Sequence, residues 1–263
     1  MDLGLSGRAA IVTGSSKGIG KAIAQGLAEE GAKVAICARD TNRLIIAERE
    51  IEASTGAEVL AVKADLNQVN DIKTLVTETH QAFRRIDILV NNTGGPPSKS
   101  FLATSEEDWR HAFNQLFMSV VLACREVAPY MKKRRWGRII NMNSIAAKQP
   151  VENLGLSNSL RAGIIGLTKT LSNEFAEYNI LVNSVCPGYT LTDRVEELAR
   201  TESQSAGKTM KQIIEDWTKT IPLRRLAKPR EIADLVVFLA SERASFITGA
   251  TYQVDGGWIK GTT

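Results

Sequence analysis

Apolar residues along the chain come in two alternating textures. Short runs rich in Val, Ile and Ala occupy 8–13, 33–38, 58–64, 86–91, 137–143, 180–186 and 250–254, and runs of this length and composition read as buried strands. Between them, at about 18–30, 41–54, 68–84, 105–133, 158–177 and 229–241, apolar positions recur at helical spacing. Pro229 opens the last of these helices, where a first turn tolerates it. Strand and helix alternating from end to end predict a parallel sheet, and right-handed crossovers wind it doubly, with helices on both faces. No repeat and no low-complexity linker interrupts the rhythm, so one domain over 1–263 is expected. The stretch 190–220 breaks it, being polar, rich in Ser, Gln, Gly and Lys between Thr201 and Thr209, and followed by Pro222. Two readings stay open there: a mobile lid over a pocket and an ordinary surface insertion.

Composition narrows the function classes. With 263 residues, 43% hydrophobic and 24% charged, the chain can bury a large core unaided. Its 33 basic and 29 acidic residues leave a formal charge of +4, too mild and too dispersed to indicate nucleic acid. The densest run, Lys132-Lys133-Arg134-Arg135-Trp136, suits the C-terminal end of a helix, where the dipole favours cations. No apolar run approaches the roughly 18 residues of a membrane span and the N-terminus lacks a signal-peptide pattern, so no membrane partner and a cytoplasmic location are expected. Cys37, Cys124 and Cys186 lie far apart in apolar surroundings and read as reduced core thiols. The two histidines, His80 and His111, sit in polar helical stretches and read as surface residues, which leaves no metal site in the expectation.

The first strand runs directly into Gly14-Ser15-Ser16-Lys17-Gly18-Ile19-Gly20, which also opens the first helix. Glycines there let backbone approach a pyrophosphate, and unpaired helix N–H groups bind it. The spacing is G-x-x-x-G-x-G rather than G-x-G-x-x-G. Gly14 to Gly18 also spells the nucleophile elbow G-x-S-x-G, but that chemistry needs a histidine late in the chain and none follows His111. After the second strand, where an NAD-binding protein usually places a carboxylate, Ala38 precedes Arg39. Lys17 and Arg39 together suit a ribose 2′-phosphate and point to NADP(H); in the competing reading both are solvated and Asp40 takes the ribose.

These segments resemble the short-chain dehydrogenase/reductase family, and the resemblance, closest to its 3-oxoacyl-acyl-carrier-protein reductase-like members, covers almost the whole chain. Thr13 to Gly20 resembles the family's cofactor loop, Asp65-Leu66 its adenine contact, and Asn91-Asn92-Thr93-Gly94 its Asn-Asn-Ala-Gly segment with Thr93 in place of alanine. Pro187-Gly188-Tyr189-Thr190-Leu191-Thr192-Asp193 is similar to the segment that meets the nicotinamide, and Val254-Asp255-Gly256-Gly257 to the C-terminal signature. The resemblance implies a seven-stranded Rossmann-type sheet, a nicotinamide cofactor and a homo-oligomer, dimer or tetramer, built on two long helices. It implies cofactor contacts from Gly14, Ser16, Lys17, Gly18, Ile19, Gly20, Arg39, Asp65, Leu66, Asn92, Gly94, Arg161, Pro187, Gly188, Thr190 and Thr192.

The family's active site is a Ser, a Tyr thirteen residues on and a Lys four further. Ser144 matches the serine, but Ser157 stands at the tyrosine position and Arg161 at the lysine position. The segment Ala162-Gly163-Ile164-Ile165-Gly166-Leu167-Thr168-Lys169 fixes that register, and aligning through Val120 and Val121 puts Leu116 at the assisting asparagine. A serine hydroxyl is a far poorer acid than a lysine-tuned phenol, and arginine stays protonated. Ser144 and Ser157 can donate hydrogen bonds to an oxyanion. Arg161 can hold ribose hydroxyls or clamp a substrate carboxylate or phosphate. Tyr189 and the loop residues Lys148, Glu152 and Asn153 are further candidates near substrate, each with a bland reading as a packed aromatic or a loop polar group, and Gly95-Pro96-Pro97-Ser98 forms a stiff loop near the same mouth. The leading expectation is an NADP(H)-dependent oxidoreductase interconverting a small carbonyl and alcohol by a non-standard proton path. The alternative is a nucleotide-binding protein without hydride transfer, serving as a sensor, a partner subunit or a scaffold for non-redox chemistry.

Overall fold

In the computed structural model, which describes residues 1–262, the seven apolar runs form strands β1 (Ala9–Val12), β2 (Lys33–Ala38), β3 (Val59–Lys63), β4 (Ile88–Asn91), β5 (Gly137–Met142), β6 (Ile180–Pro187) and β7 (Thr251–Val254). They pair in parallel in the order β3-β2-β1-β4-β5-β6-β7. The helices are α1 (Gly18–Glu29), α2 (Thr41–Thr55), α3 (Val69–Phe83), α4 (Glu106–Phe113), α5 (Ser119–Arg134), α6 (Gly155–Phe175), α7 (Asp193–Ala206), α8 (Met210–Thr220) and α9 (Pro229–Ala240). The Rossmann-type architecture expected from the alternation is the one observed. Period-two alternation divides β1 between two cores: Ala10 and Val12 pack under α1, α2 and α9, whereas Ala9 and Ile11 pack under α3, α5 and α6. Both faces being covered, the strands read as continuous apolar runs rather than alternating ones.

Three sequence expectations need correction. The helix expected over 105–133 is two helices joined by a π-turn at Asn114–Met118, because one extra residue shifts the hydrogen-bond register there. The helix expected from 158 starts at Gly155. The polar stretch 190–220, for which the apolar pattern predicts no element, contains α7 and α8. Its two helices bury a narrow stripe, Val195 and Ala199 against Ile213 and Trp217, with Ile221 and Leu226 closing a small third cluster. Thr209 and Gln212 form a capping box that starts α8 sharply, and Gly207 ends α7 in the left-handed conformation.

The basic run Lys132 to Trp136 lies at the end of α5, as expected. Arg135 turns left-handed to end the helix and donates to the Glu177 carbonyl, while Lys132 sits over the Phe175 and Tyr178 rings. All three cysteines are free and buried. No helix among the described residues is long and apolar enough to cross a membrane.

Candidate functional site

Strand order reverses between β1 and β4, and a crevice opens beyond their C-terminal ends, where an open α/β sheet places its ligand. Two connected cavities fill it, of about 270 and 320 Å³, sharing Gly14, Lys17, Thr93 and Gly94 in their walls. Every residue expected at the site lines one or both. Ser16, Arg39, Asp65 and Leu66 lie in the second cavity, and Gly18, Ile19, Gly20, Asn92, Ser144, Ser157, Arg161, Pro187, Gly188, Thr190 and Thr192 in the first.

The glycine loop is held from below. Asn92 donates through Nδ2 to the carbonyls of Thr13 and Gly14 at 3.1 and 2.9 Å, so its side chain shapes the loop. Gly14 has φ 57°, and a Cβ there would meet the Asn92 carbonyl at 2.7 Å. Gly20 packs against the Gly14 backbone so closely that any side chain is excluded. The resulting N-terminus of α1 is bare. Lys17, its N-cap, makes no capping hydrogen bond, and no acidic residue sits in the first turn. Unsatisfied N–H groups facing a cavity can hold a phosphate.

Charge at the second cavity is cationic. Arg39 is exposed and makes no ion pair among the described residues. Lys17 pairs with the exposed Asp193 carboxylate, and Arg43 approaches the same carboxylate at 3.9 Å. An exposed pair of this kind contributes about 0–1 kcal/mol and yields readily to a stronger anion. Asp40 is committed elsewhere, since its Oδ1 caps α2 by accepting from the N–H groups of Asn42 and Arg43 at 3.1 and 3.2 Å. Asp65 is pushed up by burial and more strongly held down by the Asn67 hydrogen bonds and the nearby Arg39 and His111, so it stays ionised.

The first cavity, the chamber, holds the candidate catalytic residues. Ser144 ends its strand region and accepts from the Ala146 N–H at 3.1 Å, leaving its own O–H to donate. Ser157 and Arg161 lie one turn apart on α6, both buried and both lining the chamber. Among the described residues nothing hydrogen-bonds the Ser157 hydroxyl. Arg161 gives one hydrogen bond, from Nη1 to the Met142 carbonyl at 3.2 Å, and pairs with no carboxylate. Burial pushes its pKa down to about 10, with Arg194 adding to the push and Cys186 opposing it.

Other candidates fall away from the chemistry. Tyr189 borders the chamber but stacks on Trp217, ring centroids 4.8 Å apart, and burial followed by Glu202 pushes its phenol up to about 12, so it is the packed aromatic of the bland reading. Of the loop between Ser144 and Ser157, it is Val151 and Leu154, not Lys148 or Glu152, that reach the wall, while Asn153 uses its carbonyl to accept from Lys99 N–H. Leu116 is buried in the π-turn and lines neither cavity, whereas the neighbouring Gln115 lies against Gly94 and lines the second. Gln115, Arg43, Asp193 and Arg194 were missed in sequence because single polar residues in a helix read as solvated.

Comparison with known proteins agrees with the geometry. The family described as Enoyl-(Acyl carrier protein) reductase matches residues 14–259. The chain is 36% identical over 259 residues to the 3-oxoacyl-[acyl-carrier-protein] reductase of Aquifex aeolicus, covering 98% of this chain and 99% of that protein. The chain belongs to the short-chain dehydrogenase/reductase family. It is 37% identical over 254 residues to Oxidoreductase UcpA of Salmonella typhimurium, covering 96% and 95% of the two chains. Among solved structures of the family, L-sorbose reductase from Gluconobacter frateurii, complexed with NADPH and L-sorbose, superposes with a TM-score of 0.94 at 36% identity, covering 99% of this chain and all of that one.

Proposed function

We propose that this chain is an NADP(H)-dependent oxidoreductase interconverting a small carbonyl compound and its alcohol. The observation that carries it is the crevice: a bare helix N-terminus behind a glycine loop at one end, and a chamber lined by Ser144, Ser157 and Arg161 at the other. Gly14 to Gly20 cradles the pyrophosphate, Arg39 with Lys17 meets the 2′-phosphate, and Asp65, Leu66 and Gly94 border the adenine side. Pro187, Gly188, Thr190 and Thr192 wall the nicotinamide end. Asp40 uses its Oδ1 to cap α2, which supports Arg39 and Lys17 rather than Asp40 as the groups facing the ribose.

When bound, the reduced nicotinamide supplies a hydride to the carbonyl carbon. The chain's own residues manage the oxygen. Ser144 and Ser157 donate hydrogen bonds to it, and Arg161, most of whose five N–H donors are uncommitted, offsets the negative charge that develops there and is available to the ribose hydroxyls. The proton comes from water at the mouth, the Ser157 hydroxyl passing one proton to the oxygen as it takes up another. Apolar Val151, Leu154 and Leu198 keep the rest of the chamber dry.

The whole chain, 1–263, works as one dinucleotide-binding unit in the cytoplasm, with α7 and α8 as its lid. A homo-oligomer, dimer or tetramer, packed on α5 and α6 fits the stacked pair Phe113 and Phe117, of which Phe113 is 42% exposed and Phe117 lies against Gly163 of α6. NADPH oxidation measured against a panel of ketones, aldehydes and oxoacyl thioesters tests the reading. Turnover with at least one carbonyl class supports it, and tight NADPH binding without turnover on any of them overturns it.

A further inference from the structure

The reaction chamber holds more positive charge than its own carboxylates answer. Arg161 is 8% exposed and pairs with none. Arg194, in the first turn of α7, closes the mouth from the opposite side. Its Nη2 donates to the Pro96 carbonyl at 2.5 Å, and its guanidinium lies so flat on Gly95 that a Cβ there would meet Nε at 2.7 Å. Its one acidic partner, Glu197 at 3.0 Å, is exposed, and the one acidic side chain in the chamber wall, Asp193, is taken by Lys17. Both guanidiniums line the same cavity. Arg161, buried and without a carboxylate partner among the described residues, and Arg194, whose one partner is the exposed Glu197, together specify an anionic ligand there.

The position of that anion follows from the helix. Ser157 and Arg161 are separated by four residues on α6, which places their side chains on one face about 5–6 Å apart at Cβ. A carbonyl oxygen that accepts from Ser157 therefore has Arg161 next to the adjoining substituent. Arg161, Arg194 and Ser157 all line that one cavity, which sets the anion close to the reacting carbonyl. Resting on the reductase reading above, we propose that the substrates are 2-oxoacids and the corresponding 2-hydroxyacids, their carboxylate seated between Arg161 and Arg194, with Arg194 as the specificity-determining residue. The apolar wall of Val151, Leu154 and Leu198 then takes the side chain of the acid.

The test is calorimetric titration of the protein saturated with NADP⁺ using pyruvate, 2-oxobutyrate and phenylpyruvate, each beside its methyl ester. At least one acid should bind about tenfold or more tightly than its ester, the scale of one charge-assisted contact. Arg194→Gln should abolish that preference by weakening acid binding more than ester binding, and Arg194→Lys, which keeps the charge but loses the planar fork, should retain part of it. In turnover the Arg194→Gln loss should appear in KM for the acid more than in kcat. Equal binding of acid and ester, no binding of any acid, or an acid preference that survives Arg194→Gln overturns the proposal. Failure of the wild-type protein to bind NADPH overturns the reductase reading instead, so the two failures are distinguishable.

Discussion

Arg161 is stabilising for a ligand and destabilising for the free protein, and replacing it should show both at once. Burial takes its pKa down to about 10, a drop that corresponds to about 3 kcal/mol of disfavoured charge. The sign is that of a depressed cation. Below about pH 10 the penalty is fully present, and it is relieved only at higher pH, where the folded protein has released a proton that the unfolded chain still holds. Across pH 6 to 9 the effect is therefore constant. Arg161→Met fills similar volume with an apolar chain, removing the penalty but leaving the Met142 carbonyl without its Nη1 donor, at a cost of about 1–2 kcal/mol. The net expectation is a ligand-free protein more stable by about 1–2 kcal/mol, or about 2–5 °C in Tm for a chain of this size. Urea unfolding at pH 7 and pH 9 reads it, with NADPH turnover measured in parallel and expected to fall. A variant destabilised by 1 kcal/mol or more would refute the reasoning, because it would mean that the guanidinium is satisfied within the chain.

Arg39→Ala should bring the NADPH-over-NADH affinity preference from about tenfold or more down to near parity by calorimetry, whereas Lys17→Ala should cost less because Lys17 must first leave Asp193; equal wild-type affinities for the two cofactors would contradict this. Ser157→Ala should lower kcat by about 10²-fold with Tm unchanged, since its hydroxyl has no partner within the chain; an unaltered rate would remove Ser157 from the chemistry. Hydrogen exchange across 193–220 should be faster than in the sheet and should slow on addition of NADPH with a bound acid, because the apolar burial of α7 and α8 is confined to the small third cluster; protection equal to the sheet without ligand would exclude a lid.

The sheet was legible in the sequence because its central strands are buried on both faces, and a run such as Ile88-Leu89-Val90 within β4 is continuously apolar. The cofactor end was legible because its glycines form a local pattern: Gly14 and Gly18 take positive φ, and Gly20 packs on the Gly14 backbone within the loop itself. What failed was tertiary. The helices α7 and α8 bury only two side chains each against one another, too few to raise a helical pattern above a polar background. The π-turn that breaks the helix at Asn114 has no local marker. Lys17 reads as a free phosphate ligand until α7 brings Asp193 to it across 176 residues. Arg194 has no signature at all, because its meaning lies in the Pro96 carbonyl, which is 98 residues away along the chain.

Residues 116, 157 and 161 make sense together. A phenol at 157 would be useful only with a neighbour that lowers its pKa, and a buried arginine that stays charged provides a cation without a proton to trade. With serine at 157 there is no acid to tune, so the cation at 161 is released for charge placement. An amide at 116 would be needed to feed a proton chain that a serine and an arginine do not form, and leucine there instead completes the core at 2% exposure. In the proposed reading the chamber offers positive charge rather than a side-chain acid. That arrangement suits a substrate whose reacting oxygen lies beside a carboxylate, because the same guanidinium that binds the anion also lowers the energy of the oxyanion forming next to it.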